Sequence, residues 1–440
     1  MKPLETHNQP GRIGQALAMA VAVAALGWVA WTLWTGNRSW DTSPETAEVP
    51  DAEPAVASAI PPDFPRPGMP GYRQPPAGMA TVGTPPGARP MPSPATPAAA
   101  RQLDAASLGA EIQRLREALL TAADGRGRQR LIQEFGELVA TAIGQLGADA
   151  VAEELVRLLG AGFEDIDFRL PFQPGFDGRM ETVPNWRSLL LDGLAATASP
   201  VAADFVRNHV LDQPRTTADW AMGLKVVWEA SEQQRDDPYF SAKLAEMLRN
   251  PTWTQQPTGA LLESFDFVVA QHNKDLVPDM VRFLEGETDS GTPFAAAIVL
   301  QRMASADPSV AATVVRETTG VQLDAEVAKS RATIVAKLDP TSEAHLTVIR
   351  DYLADPGVSA DEAEYFLRVF PQVNEIITPN IASTQYPDTR ETLARKQQAG
   401  LALFEAWAAD PAFAAQGSAI EESVARLTEV VEAARRAGIL

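Results

Sequence analysis

The residues able to do chemistry are few and scattered. The four histidines, His7, His209, His272 and His345, lie far apart in the chain. No His-Glu-x-x-His pair sets two imidazoles on one helix face for zinc, and there is no cysteine to supply a thiolate instead. Zero cysteines also excludes disulfides, iron–sulfur clusters and cysteine nucleophiles. The sequence contains no Gly-x-Ser-x-Gly elbow for a serine nucleophile. It also lacks a phosphate-cradling Gly-x-x-x-x-Gly-Lys-Ser/Thr loop and a Gly-x-Gly-x-x-Gly turn. The expectation is a protein that is not an enzyme and takes no cofactor or metal.

Carboxylates are the abundant reactive groups. Glu153-Glu154, Asp236-Asp237 and Glu421-Glu422 are sequence neighbours, which a helix splays apart. They read as solvated helix faces. Glu164, Asp165, Asp167 and Asp177 fall instead in one loop, where hard oxygens can hold Ca²⁺. Their spacing lacks the EF-hand pattern, so no metal is assigned. His272 follows an apolar run and reads as a satisfied histidine rather than a base.

The loop that carries those acids, Phe163–Trp186, has three prolines, two glycines and five aromatics. Long loops of this kind often carry function. Phe168, Phe172, Phe176 and Trp186 are the candidate partner-binding residues; their other use is to pin the loop onto the helices. A second, less distinctive break spans Thr378–Thr389, with Pro379 and Pro387.

The elements that position these residues are of three kinds. No charge lies between Arg12 and Arg38, and Ile13–Trp34 is apolar throughout. At about 1.5 Å per residue that stretch crosses a hydrocarbon core of roughly 30 Å. Trp28, Trp31 and Trp34 crowd its far end, where indoles favour the membrane interface. Lys2 and Arg12 precede it, and five acids follow Arg38 by residue 53. This bias predicts a single-pass signal-anchor in a bacterial inner membrane, with the N-terminus cytoplasmic and the rest periplasmic. A cleaved signal peptide is the competing reading, but its apolar region is shorter and ends at a small-x-small site.

Sixteen of the sixty residues from Asp41 to Ala100 are proline. Proline fixes φ and removes a backbone donor, so the expectation is an extended, disordered tether. The predicted organisation is a tail at 1–12, an anchor at 13–35, a Pro/Ala-rich linker at 36–101 and an all-helical domain at 102–440. Residues 1–101 hold seven basic and seven acidic residues, so the formal charge of −20 sits entirely on the remainder. That charge keeps a domain soluble and argues against nucleic acid as a partner.

From residue 102 the apolar positions recur every three or four residues. Leu108, Ile112, Leu115 and Leu119 form one stripe, and Ile420, Val424, Leu427, Val431 and Ala434 form another. Leu131, Phe135, Leu138 and Ala142 form a third, joined by Ile132, Val139, Ile143 and Leu146. Seven polar–proline pairs mark predicted helix starts: Ser199-Pro200, Asp237-Pro238, Asn250-Pro251, Asp307-Pro308, Asp339-Pro340, Asp355-Pro356 and Asp410-Pro411. Sustained strand alternation is hard to find. Short helices continued over 300 residues predict an all-α fold, an α-solenoid of divergent helical hairpins.

The run at 187–272, with RSLLLDGLAATASPVAADFVRNHVL and GALLESFDFVVAQH, resembles HEAT-type helical repeats. It is also similar to the helical superhelix of vitellogenin-type large lipid-transfer proteins. Leu190, Leu191, Asp192 and Leu194 match its leucine-rich helix, and Ala198-Ser199-Pro200 stands at its turn. That resemblance implies repeat architecture and covers about a fifth of the chain; the family's lipid-binding sheets have no counterpart. The layout of anchor, tether and helical domain resembles membrane-anchored lipase chaperones. Phe265-Asp266-Phe267 matches part of their motif, without the arginine that should precede it.

These readings predict a membrane-tethered scaffold or adaptor that binds another envelope protein. The alternative is a periplasmic chaperone or lipid-handling factor with an apolar groove.

Overall fold

The chain divides into two units, Met1–Arg101 and Gln102–Leu440. The structure, a computed structural model, describes residues 103–161, 166–231, 237–286, 291–319, 323–372, 379–384 and 388–440, all in the second unit. The expected anchor, linker and Trp28, Trp31 and Trp34 lie outside the described residues. Among the described residues no helix is long and apolar enough to cross a membrane.

The described part is all-α apart from one short hairpin. It opens with α1 (Ala105–Thr121), α2 (Gly125–Leu146) and α3 (Ala148–Gly160). Strands β1 (Gln173–Pro174) and β2 (Met180–Thr182) follow, then α4 (Trp186–Thr197) and α5 (Pro200–His209). Next come α6 (Thr217–Ala230), α7 (Pro238–Leu248), α8 (Pro251–Thr254), α9 (Gly259–Ser264) and α10 (Asp266–Gln271). The chain continues through α11 (Val277–Glu285), α12 (Gly291–Ala306), α13 (Pro308–Glu317) and α14 (Ala325–Ala336). It ends with α15 (Glu343–Ala354), α16 (Ala360–Val369), α17 (Arg390–Ala408) and α18 (Gly417–Arg436).

Most helices pack on the next helix and on the one after it. Thus α2, α4 and α6 make one row, and α1, α3 and α5 a second row against it. The same order resumes later, with α12, α14, α16 and α18 in one row and α11, α13 and α15 in the other. Helix α9 joins the halves by packing on both α6 and α12.

The sequence stripes account for the burial. Leu108, Ile112, Leu115 and Leu119 are all at most 1% exposed, each contributing roughly 1.5–3 kcal/mol by leaving water. In α2 the fully buried face is Ile132, Phe135, Val139 and Ala142, with Leu131, Leu138, Ile143 and Leu146 packed at its edge. Helix α6 is buried along its whole run from Thr217 to Trp228, as a helix apolar on every side must be. Gly223 lets it approach Leu211 closely, since a Cβ there would lie 2.8 Å from the Leu211 Cδ2.

Five of the seven polar–proline pairs start helices. Ser199, Asp237, Asn250 and Asp307 cap α5, α7, α8 and α13 through their side chains, and Asp410 caps the 3-10 turn Pro411–Gln416. The other two do not. Asp339 holds a turn by accepting from the Thr341 N–H, and α15 begins only at Glu343. Asp355 ends α15 and turns back onto the Gly357 N–H. An Asx turn and a helix cap use the same side-chain bond, so the dipeptide alone does not separate them.

Candidate functional site

The first interruption of the helices is a pinned hairpin. β1 and β2 pair antiparallel, Gln173 opposite Thr182 and Pro174 opposite Met180, with a bulge between. The arms continue outward through Phe168 N–H to Pro184 C=O at 2.7 Å and Trp186 N–H to Ile166 C=O at 3.0 Å. β2 packs on α2 and β1 on α9. Arg128 of α2 donates to the Phe168 carbonyl at 3.0 Å.

Its aromatic rings divide sharply. Phe168, Phe172 and Trp186 are buried, and Trp186 meets the edge of Phe135 at 6.2 Å between centroids. Phe176 is 73% exposed at the tip. The tip is closed by Gly175 N–H to Arg179 C=O at 2.7 Å, with Gly178 at a φ of 77° that favours glycine. An open groove of about 590 Å³ runs beside the hairpin, lined by Arg126, Gln129, Leu170, Pro171 and Gln173 among others.

The second interruption carries more charge. Asp266, the first residue of α10, is 5% exposed. Its Oδ1 accepts from Arg302 Nη1 at 2.7 Å and from the Ser383 hydroxyl. Its Oδ2 accepts the backbone N–H of Ala382 at 2.9 Å and of Ser383 at 2.7 Å. Arg302, on α12, also donates to Asn380 Oδ1 at 3.2 Å and to Ser383 Oγ. One carboxylate thus fastens 379–384 to α10 and α12. The Ser383 hydroxyl points its proton at Asp266 while its oxygen faces a guanidinium, which quenches rather than activates a nucleophile. Glu263, at the end of α9, is partly buried, and burial with the nearby Asp266 charge pushes its carboxyl up to about 8.

A third constellation is sealed. Arg331 of α14 is fully buried and binds Glu362 of α16 through two bonds of 2.7 Å. It also reaches the Thr318 hydroxyl at 3.0 Å and the Gly357 carbonyl at 3.2 Å. Tyr352 donates to Glu362 at 2.9 Å, and burial followed by the Glu362 charge holds its phenol protonated. Every partner here is protein, and the network ties four neighbouring segments together.

The other sequence candidates fall elsewhere. Glu164, Asp165 and Asp236 lie outside the described residues. Asp167 and Asp177 are exposed and each accepts the N–H two residues on, from Arg169 and Arg179. Among the described residues no three His, Cys, Asp or Glu side chains gather as a metal group. Of the acidic doublets, Glu421 and Glu422 are exposed. Glu154 is instead buried against α1 and held by Arg157, and Asp237 caps α7 and pairs with Arg207 at 2.7 Å. Asp192 accepts from Lys225, itself 4% exposed, at 2.7 Å. His272 ends α10 in the left-handed region, and His209 packs on Phe205 at 5.0 Å. Burial lowers the pKa of His345, whose Nδ1 accepts the Asp339 N–H at 2.8 Å. His7 lies outside the described residues.

No protein family and no curated protein matches this chain. Among solved structures, the crystal structure of an engineered protein is similar at 15% identity, covering 71% of this chain and 97% of its own, with a TM-score of 0.23.

Proposed function

We propose that this protein is a membrane-tethered helical-repeat scaffold, binding another protein of the bacterial envelope rather than catalysing a reaction. The observation that carries the reading is the hairpin, whose three inner rings are sunk among helices while Phe176 is held outward at a bonded tip. An aromatic on a rigid support offers contact area at little entropic cost. The two-row packing supports an α-solenoid, whose stacked surface suits a protein partner. The apolar stretch at 13–34 and the proline-rich 36–101 support an inner-membrane anchor and a tether with periplasmic reach. Such confinement raises effective concentration without new contacts.

The test is a photo-crosslinking amino acid at position 176, with exposed Glu153 as the control position in the same full-length protein. One reproducible envelope protein captured at 176 and not at 153 is the expected result. Identical patterns at the two positions would remove Phe176 from the reading. Many unfolded clients, or lipid, would replace the scaffold by a chaperone or lipid-handling factor.

A further inference from the structure

The contacts of Asp266 span more of the chain than helix packing does. Its bonds to Ala382 and Ser383 cross 116 and 117 residues, whereas most packed helices are neighbours or next-neighbours in order. Everything that holds 379–384 there converges on that one carboxylate and on Arg302. The segment contributes no charge of its own, being Pro-Asn-Ile-Ala-Ser-Thr. Ile381 is fully buried beneath it.

Glu263 stands three residues before Asp266, with no hydrogen-bond partner and no cation of its own. The charged groups on every element packed against α9 can be named. On α10 there is Asp266 alone, and on α12 Arg302 alone, already bound to Asp266. On α6, Asp219 pairs with Arg187, Lys225 pairs with Asp192, and Glu229 is at the exposed end. β1 has none. The charge that acts on Glu263 is therefore Asp266, and it is of the same sign. An ionised Glu263 adds a second negative charge to a cluster with one arginine. Water or release of the segment is then the available relief.

We propose that the docking of 379–384 on Asp266 is a proton-controlled latch, closed while Glu263 keeps its proton and loosened when Glu263 ionises. This inference is independent of what the hairpin binds. The amides of Ala382 and Ser383 report it directly, because both donate to Asp266 Oδ2.

The experiment is hydrogen exchange at these two amides in the full-length protein from pH 6 to 9.5, corrected for the intrinsic pH dependence of exchange. Protection should fall at least tenfold through a midpoint near 8. In Glu263→Gln, which keeps the shape and cannot ionise, it should stay level. In Asp266→Asn it should be low at every pH. Level protection in the unaltered protein overturns the latch, and so does an equal fall in Glu263→Gln. Full protection in Asp266→Asn would show that another group holds the segment and would overturn it as well.

Discussion

The hairpin at 166–186 and the segment at 379–384 both interrupt the helical order, and they are held by opposite means. The hairpin is fixed by apolar area, with Phe168, Phe172 and Trp186 buried between α2 and α9. The segment is fixed by one carboxylate that four donors share. Apolar contacts spread their energy over many small terms and respond weakly to pH. A buried carboxylate concentrates its energy in a few bonds and responds to every charge nearby. The first arrangement suits a fixed platform and the second a device that changes state.

The largest expected effect breaks the platform. Phe168→Ala should lower stability by about 3–5 kcal/mol in denaturant unfolding, through the cavity it leaves. A loss below 1 kcal/mol would mean that the backbone ladder, not the ring, holds the hairpin. Asp266→Ala should cost about 3 kcal/mol, because Arg302 and two amides lose their acceptor together. Its cost should shrink at high pH, where Glu263 has already weakened the contact; the Phe168→Ala cost should not.

A pH series sharpens the contrast. Glu263 binds its proton more tightly in the folded chain than in the unfolded one, where its pKa is near 4.5. This contribution is intact below about 4.5 and is lost as pH rises to about 8, at no more than ~1.4 kcal/mol per pH unit for one proton. Subtracting the Glu263→Gln profile from that of the unaltered protein isolates it. A flat difference would place Glu263 in water. The smallest stability effect belongs to Phe176→Ser, within about 0.5 kcal/mol by thermal or denaturant unfolding, since its ring is already in solvent. The same substitution should abolish capture of the partner.

The sequence foretold these two regions unequally. Rings crowded into a proline-rich loop between apolar stripes announce burial, and three of the four are buried. That the loop is a hairpin was not visible, because strands of two and three residues leave no alternation to read. For the second region the signal lay in GALLESFDFVVAQH, where Glu263 and Asp266 are the only acids in an apolar run. Acids so placed demand partners, but the partners are Arg302 and a segment over a hundred residues on, which no local pattern encodes. Helix existence was legible for the reason that stripes and caps are local. Whether Asp339 and Asp355 cap or turn depended on neighbours beyond the dipeptide.

Because most helix packing here is between neighbours in order, contact order is low, and helices can settle one after another as the chain is made. The Asp266–Ser383 contact is the exception. At about 5–20 residues per second, Ser383 emerges roughly 6–23 s after Asp266. Arg302 arrives 36 residues after Asp266, in roughly 2–7 s. The newborn carboxylate thus meets its cation first and its loop last. That history makes 379–384 the closing stitch of a fold that is otherwise completed in sequence.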